Sequence, residues 1–257
     1  MSPSPTADRD AGGEVQHPPL AGPSLVVIPT YNEADNLRPL LARVTDEVAA
    51  DVLIVDDSSP DGTGEIADAL ASECSRIHVL HRERKGGLAS AYVDGFQYAL
   101  RSGYDVVFQM DADGSHDPAT LPLMLGALEG CDLVVGSRYV PGGGIVNWPW
   151  HRRAISRAGS LSVRTLLRLH VRDTTSGFKG WRAELLRKVL ADDVAANGYV
   201  FQIEMTHRAV RTGAQIEEIP IQFADRQFGA SKFSSRIVVE AMIRVALMSA
   251  GRLFGRR

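Results

Sequence analysis

In "FQMDADGSHDP" (Phe108–Pro118), two aspartates stand one residue apart directly after an apolar run. In extended backbone Asp111 and Asp113 point to the same side, because side chains alternate with a period of two. Two carboxylates sharing one space push one pKa upward unless a cation lies between them. A hard divalent ion, Mg²⁺ or Mn²⁺, relieves that conflict, since both take oxygen ligands. Such an ion can bridge a nucleotide's diphosphate and offset charge growing on it as a leaving group. The plainer alternative is a solvated acidic turn ahead of a helix at Pro118, with His116 or Asp117 as its cap. For an isolated D-x-D that alternative is the commoner case.

Two further polar stretches follow apolar runs. "PTYNE" (29–33) breaks one run and opens a helical pattern, with Asn32 placed to cap it. "DDSSPDGTG" (56–64) is a turn whose Asp56 and Asp57 stand where carboxylates accept from base or ribose donors. Each alone reads as an ordinary strand-to-helix turn; their recurrence at equivalent places is the signal. Near the C-terminus, "DRQFGASK" (225–232) joins two cations, Arg226 and Lys232, by a small-residue turn. Arg offers phosphate a planar fork and Lys a compact charge, so a loop carrying both is suited to clamp one. A surface loop with ordinary charges is the alternative.

The elements that must position these residues alternate in type. "SLVVI" (24–28), "DVLIV" (51–55), "IHVL" (77–80), "DVVFQM" (105–110) and "DLVVGS" (132–137) are β-branched apolar runs suited to buried strands. Helical patterns over 33–48, 64–72, 87–100 and 118–128 lie between them. That alternation predicts βαβ crossovers and an α/β fold with a mainly parallel sheet, whose ligands sit beyond the carboxyl ends of the strands.

Charge is divided unevenly. Residues 1–146 hold 9 Lys/Arg against 22 Asp/Glu, a net −13, and the remainder holds 19 against 9, a net +10. A metal or sugar on one side and an anion or anionic surface on the other would account for the split, as would chance clustering on solvated faces. "NWPWHRRAISRAGSLSVRTLLRLHVR" (147–172) places Arg153, Arg157, Arg164 and Arg168 at helical spacing, beside Trp148 and Trp150. That pattern describes an amphipathic helix in a membrane interface, or one packed on the sheet or a partner subunit. The tail "SRIVVEAMIRVALMSAGRLFGRR" repeats it, with a polar stripe of Arg236, Glu240 and Arg244. No run of 18 apolar residues predicts a spanning helix. The first 22 residues, rich in Pro, Gly, Ser and Asp, read as a disordered tail and not a signal peptide. Two cysteines, Cys74 and Cys131, form no framework and suit a reducing cytoplasm. With no RNA-binding motif and 7% aromatics, a nucleic-acid partner is not expected. A catalytically dead partner module is disfavoured by the aspartate pair and the Arg226/Lys232 loop.

Taken in order, "VVIPTYNEADNL", "LIVDDSSPDGTGEIA", "GLASAYVDGF", "MDADGSHDP" and "VVGSRYVPGGGIVNWPWHRRAIS" resemble the inverting glycosyltransferases of family two. "DTTSGFKGWRAELL", "GYVFQIEM" and "IPIQFADRQFGASK" narrow the resemblance to the polyprenyl-phosphate (dolichyl-phosphate) mannose synthases. It runs from about Ser24 to Lys232. The resemblance implies a GT-A, Rossmann-like fold over 23–233, ahead of a C-terminal amphipathic, membrane-facing helix over 234–257. It places Pro29, Tyr31 and Glu33 in a first nucleotide-binding turn and Val55, Asp56 and Asp57 in a second. Asp111 and Asp113 match the metal-binding pair, with Met110 and Ala112 flanking it beside the nucleotide. Some relatives carry Gln where this chain has Ser115, which leaves the third protein ligand open. Arg138, Arg226 and Lys232 match positions that bind phosphate-bearing substrates, and with Asp113 they are the catalytic candidates. The implied reaction moves mannose from GDP-mannose to a polyprenyl monophosphate, peripherally on the cytoplasmic face of the cell membrane, with an integral membrane partner as a further possibility. Transfer of glucose or another sugar from a different nucleotide is the alternative.

Overall fold

The structure, a computed structural model, describes residues 17–146, 148–192, 194, 198–224 and 245. The five expected strands form as β1 (Ser24–Thr30), β2 (Asp51–Asp56), β3 (Ile77–His81), β4 (Val106–Gln109) and β5 (Leu133–Ser137). Between them lie α1 (Ala34–Glu47), α2 (Thr63–Glu73), α3 (Leu88–Arg101) and α4 (Leu121–Ala127), the last preceded by a 3₁₀ turn at Pro118–Thr120. The chain continues through β6 (Gly144–Ile145), α5 (Trp150–Leu167), β7 (Lys179–Arg182), α6 (Ala183–Val189), α7 (Tyr199–Arg211), β8 (Ile216–Pro220) and β9 (Gln222–Phe223).

Seven strands make one sheet in the order β3-β2-β1-β4-β7-β5-β8, with β7 antiparallel to both neighbours and every other pairing parallel. β6 and β9 pair separately. β1 is buried throughout because helices cover both faces. Val26 and Ile28 pack with Leu37, Leu41 and Met124 on one side, while Leu25 and Val27 pack with Tyr92, Phe96 and Phe201 on the other. The chain runs outward from β1 through β2 to β3, then returns to β1's other edge with β4. The carboxyl ends of β1 and β4 therefore flank the point where strand order reverses, the place where open α/β sheets bind ligands.

Three expectations shift. Residues 17–22 dock onto the domain and do not belong to a free tail. The Pro18 carbonyl accepts from Arg182 Nη1 at 2.7 Å, the Gly22 N–H donates to Asp105 at 2.5 Å, and Leu20 packs against the core. Asn32 does not cap α1. It sits in the left-handed region at φ 61°, and the cap position falls to Glu33. The Ala34 N–H is met instead by Asp61, which also accepts from Thr63 at the start of α2. One carboxylate thus serves two helix starts, and these hydrogen bonds hold its pKa below the usual range although burial opposes them. Arg168 leaves the helical face proposed for it, because it ends α5 in the left-handed conformation at φ 51°. Of the C-terminal stretch, Val245 is described. It is helical and buried against Val163, Leu167, Leu169 and Ile203.

Candidate active site

The carboxyl ends of β1, β2 and β4 bring the three polar stretches to one edge of the sheet. Thr30 and Asp56 are register partners, and the Asp57 N–H donates to the Thr30 carbonyl at 2.9 Å. The Met110 N–H donates to the Val27 carbonyl at 3.2 Å, which ties the start of the D-A-D stretch to β1.

Asp56 and Asp57, both buried, serve the loops around them. Asp56 accepts from the Ser59 hydroxyl at 2.6 Å, the Ser59 N–H at 3.2 Å and Thr30 Oγ1 at 3.2 Å. Asp57 accepts from Arg82 and from the backbone N–H groups of Gly86 and Gly87, at 2.8 and 2.7 Å. Their carboxylates fold the turns that frame the site. Above them Lys85 places its ammonium 3.4 Å from the centre of the Tyr31 ring, a cation–π contact. Glu33 accepts from Asn36 Nδ2 at 2.7 Å.

At the end of β4, the Tyr92 hydroxyl donates to Asp111 Oδ1 at 2.8 Å. The Asp111 N–H donates to Nδ1 of His116 at 3.1 Å. His116 is buried with its ring stacked on Phe178, centroids 4.9 Å apart. Burial lowers its pKa, outweighing the pull of Asp111 and Asp113, so the ring is neutral at pH 7 and carries its proton on Nε2. Asp113 is 6% exposed and accepts from the Ser115 N–H at 3.1 Å. Among the described residues Ser115 Oγ, also buried, has no hydrogen-bond partner. Two carboxylates and a hydroxyl are hard oxygen donors, the set that suits Mg²⁺ or Mn²⁺. Among the described residues no group of three His, Cys, Asp or Glu gathers around them. A hexacoordinate ion there would draw its remaining ligands from water and substrate oxygens, as Mg²⁺ sites usually do.

Met110 and Ala112 turn their side chains into the core. Both belong to the core cluster that includes Leu121 and Met124 of α4, at 0% and 3% exposure. Val55 and Pro29 are likewise buried, so only backbone from these positions can meet a ligand.

Arg138 follows β5 on the same edge of the sheet, yet its fork closes on a carboxylate and not on an open space. Nε and Nη2 each donate to Asp173 at 2.6 Å, Nη2 also donates to Thr175, and the Arg138 N–H donates to Asp173 at 3.0 Å. Burial opposes ionisation of Asp173, but the Arg138 charge and hydrogen bonds win and hold its pKa below the usual range. What stands at the end of β5 is a buried ion pair. Arg226 and Lys232 lie outside the described residues, as do Arg236, Glu240 and Arg244.

The family model for glycosyl transferase family 2 matches residues 25–194, from the first residues of β1 to just beyond α6. The chain belongs to glycosyl transferase family 2. Within this family it is similar to the undecaprenyl-phosphate mannosyltransferase of Micrococcus luteus, 51% identical over 86% of this chain and 91% of that one. It is also similar to the polyprenol monophosphomannose synthase of Mycolicibacterium smegmatis, 46% identical over 87% of this chain and 85% of that one. In fold it resembles glucosyl-3-phosphoglycerate synthase from Mycobacterium tuberculosis, solved with Mn²⁺, uridine-diphosphate-glucose and phosphoglyceric acid. That likeness has a TM-score of 0.65 at 21% identity, covering 90% of this chain and 80% of the other.

Three residues that flank the site of this family 2 enzyme escaped sequence reasoning: Tyr92, Asp173 and Lys179. Tyr92 carried a usable signal. It falls on the apolar face of α3 with Phe96 and Ala99, and a tyrosine on a core face needs an acceptor. Lys179 carried none. It is fully buried in β7, its Nζ donating at 3.0 Å to both the carbonyl and Oε1 of Gln202, and burial pushes its pKa down to about 7.

Proposed function

We propose that this enzyme transfers mannose from GDP-mannose to a polyprenyl monophosphate, working at the cytoplasmic face of the cell membrane. The observation that carries the proposal is the Asp111/Asp113 pair at the strand-order reversal of a family 2 domain, in a chain half identical to named polyprenyl-phosphate mannosyltransferases. Asp111 and Asp113 would hold the divalent ion, which when bound offsets the charge of the departing nucleoside diphosphate.

The chain's own groups fit a displacement that needs no general base. A phosphate monoester is largely ionised at neutral pH, its second pKa being about 6. Its oxygen attacks the anomeric carbon as the bond to the diphosphate breaks, so an α-linked donor gives a β-linked sugar phosphate. His116, neutral and fixed between the Asp111 backbone and Phe178, is a scaffold in this scheme. The Asp57-anchored loop and Tyr31 border the nucleotide end. Arg226 and Lys232 are assigned to the phosphates, which need cations to hold two anions in reach of each other.

Membrane attachment is assigned to α5. Among the described residues no helix is long and apolar enough to cross a bilayer. α5 buries Ser160, Val163 and Leu167 and leaves Trp150, Arg153, Arg157 and Leu161 exposed, with Trp150 at 75% and Leu161 at 59% exposure. An exposed tryptophan and leucine flanked by guanidinium groups suit the headgroup region of an anionic bilayer.

A radiolabel assay with a panel of sugar nucleotides and one short polyprenyl phosphate tests the whole reading. Label should enter the lipid phase from GDP-mannose in the presence of Mg²⁺ or Mn²⁺. Transfer from a uridine-linked glucose in preference would overturn the donor assignment, and transfer unaffected by chelation would overturn the metal.

A further inference from the structure

We propose that Tyr92 is a positioning residue for the cation site, holding one oxygen of Asp111 so that the other faces the ion. The inference rests on the reading of Asp111 and Asp113 as cation ligands and assigns a role to a residue on a different element. Tyr92 comes from α3, on the opposite side of the sheet from α4, and its side chain is 0% exposed. Its ring lies in a stack, 5.7 Å from Phe96 and 5.9 Å from Phe201, the latter nearly parallel at 6°. Packed in that stack, the ring presents its hydroxyl to Asp111 Oδ1 at 2.8 Å.

Asp111 is thereby fixed at two places, its backbone N–H on His116 Nδ1 and its Oδ1 on Tyr92. Oδ2 is the oxygen that remains. It lies beside Gly177, where a Cβ would stand 3.0 Å from it and 3.4 Å from the His116 ring. A carboxylate held this way meets a cation through one oxygen in a preset direction, and the orienting cost is met in the fold before the ion arrives. Without the phenol, Oδ1 would have no donor, and the carboxylate would turn toward whatever proton or cation it could reach.

Tyr92→Phe keeps the stack and deletes only the donor. Mn²⁺ binding to the full chain, with and without GDP, is followed by the electron paramagnetic resonance signal of free Mn²⁺, and turnover is titrated against Mn²⁺. Loss of such an outer partner costs roughly 10- to 100-fold in metal affinity. The expected result is an apparent Mn²⁺ dissociation constant raised at least ~10-fold, with turnover recovering as Mn²⁺ is raised. Phe201→Leu serves as the packing control: it loosens the same stack but keeps the donor, and should lower stability while raising the Mn²⁺ dissociation constant less than Tyr92→Phe does. An unchanged Mn²⁺ affinity in Tyr92→Phe would overturn the proposal, as would an equal loss in Phe201→Leu. If the unsubstituted chain binds no Mn²⁺, the cation reading itself fails, and that outcome is separable from the other two.

Discussion

Asp173→Asn is the most informative single change in this molecule. Asp173 is 0% exposed and Arg138 is 7% exposed, and three hydrogen bonds from Arg138 converge on the one carboxylate. Replacing that carboxylate by an amide leaves a buried guanidinium that has lost the Asp173 charge. Breaking a buried pair from one side costs about 3–5 kcal/mol, a large share of the roughly 5–15 kcal/mol that holds a domain together. With a urea m-value of about 2 kcal/mol/M, the unfolding midpoint should fall by roughly 1.5–2.5 M. The double change Arg138→Met/Asp173→Asn removes both charges and should recover at least ~2 kcal/mol of that loss, as coupled neighbours do. The pH dependence has a definite sign. Asp173 has a folded pKa below its unfolded value near 3.9, so its contribution is full above that value and disappears as pH falls through the folded one. The gap between Asp173→Asn and the unsubstituted chain should therefore hold from pH 5 to 8 and narrow only in acid. Urea titrations monitored by circular dichroism at each pH measure all of this. A loss under ~1 kcal/mol, or a double variant as unstable as the sum of the singles, would refute the buried-pair account.

Asp113→Ala should abolish transfer at a nearly unchanged melting temperature, since the cation site loses a carboxylate while the apolar core keeps its packing; near-normal turnover in Mg²⁺ or Mn²⁺ would contradict its role. Lys179 has a folded pKa of about 7, below its unfolded value, so stability should rise with pH from 7 to 8.5, by at most ~1.4 kcal/mol per unit. Lys179→Met should flatten that rise, and the comparison belongs below the range where the Cys131 thiol, raised to about 11, acts in the opposite sense. Gly180→Ala would set a Cβ 2.8 Å from Val134 Cγ1 and 2.9 Å from Phe108, and should cost about 1–3 kcal/mol in chemical denaturation. A chain beginning at Gly22 should melt below one beginning at His17, because the Arg182 bond to the Pro18 carbonyl and the Leu20 packing go with the deleted residues; equal melting temperatures would show the docked segment to be passive.

The sequence by itself determined the strands that alternate with helices and the edge of the sheet where polar residues gather. Each of β1 to β5 is a β-branched run ended by polar or turn residues, and the apolar Met110 and Ala112 beside the aspartates join the core. It was silent on β7, whose "KGWR" has no apolar run. That stretch is a strand because β4 and β5 leave a gap that it fills with both ladders, and Lys179 is tolerated there because Gln202, 23 residues on, supplies its acceptors. The partners of the site's charges were equally out of reach. Arg138 reads as a phosphate fork until Asp173, 35 residues away, is seen to occupy it, and Asp57 reads as a base acceptor until the loop at 82–87 closes on it. Residue type and local period state what a side chain can do. Which group satisfies it depends on long-range neighbours, and burial makes that choice binding, because a buried charge or hydrogen-bonding group left without its partner costs more than the fold can spare.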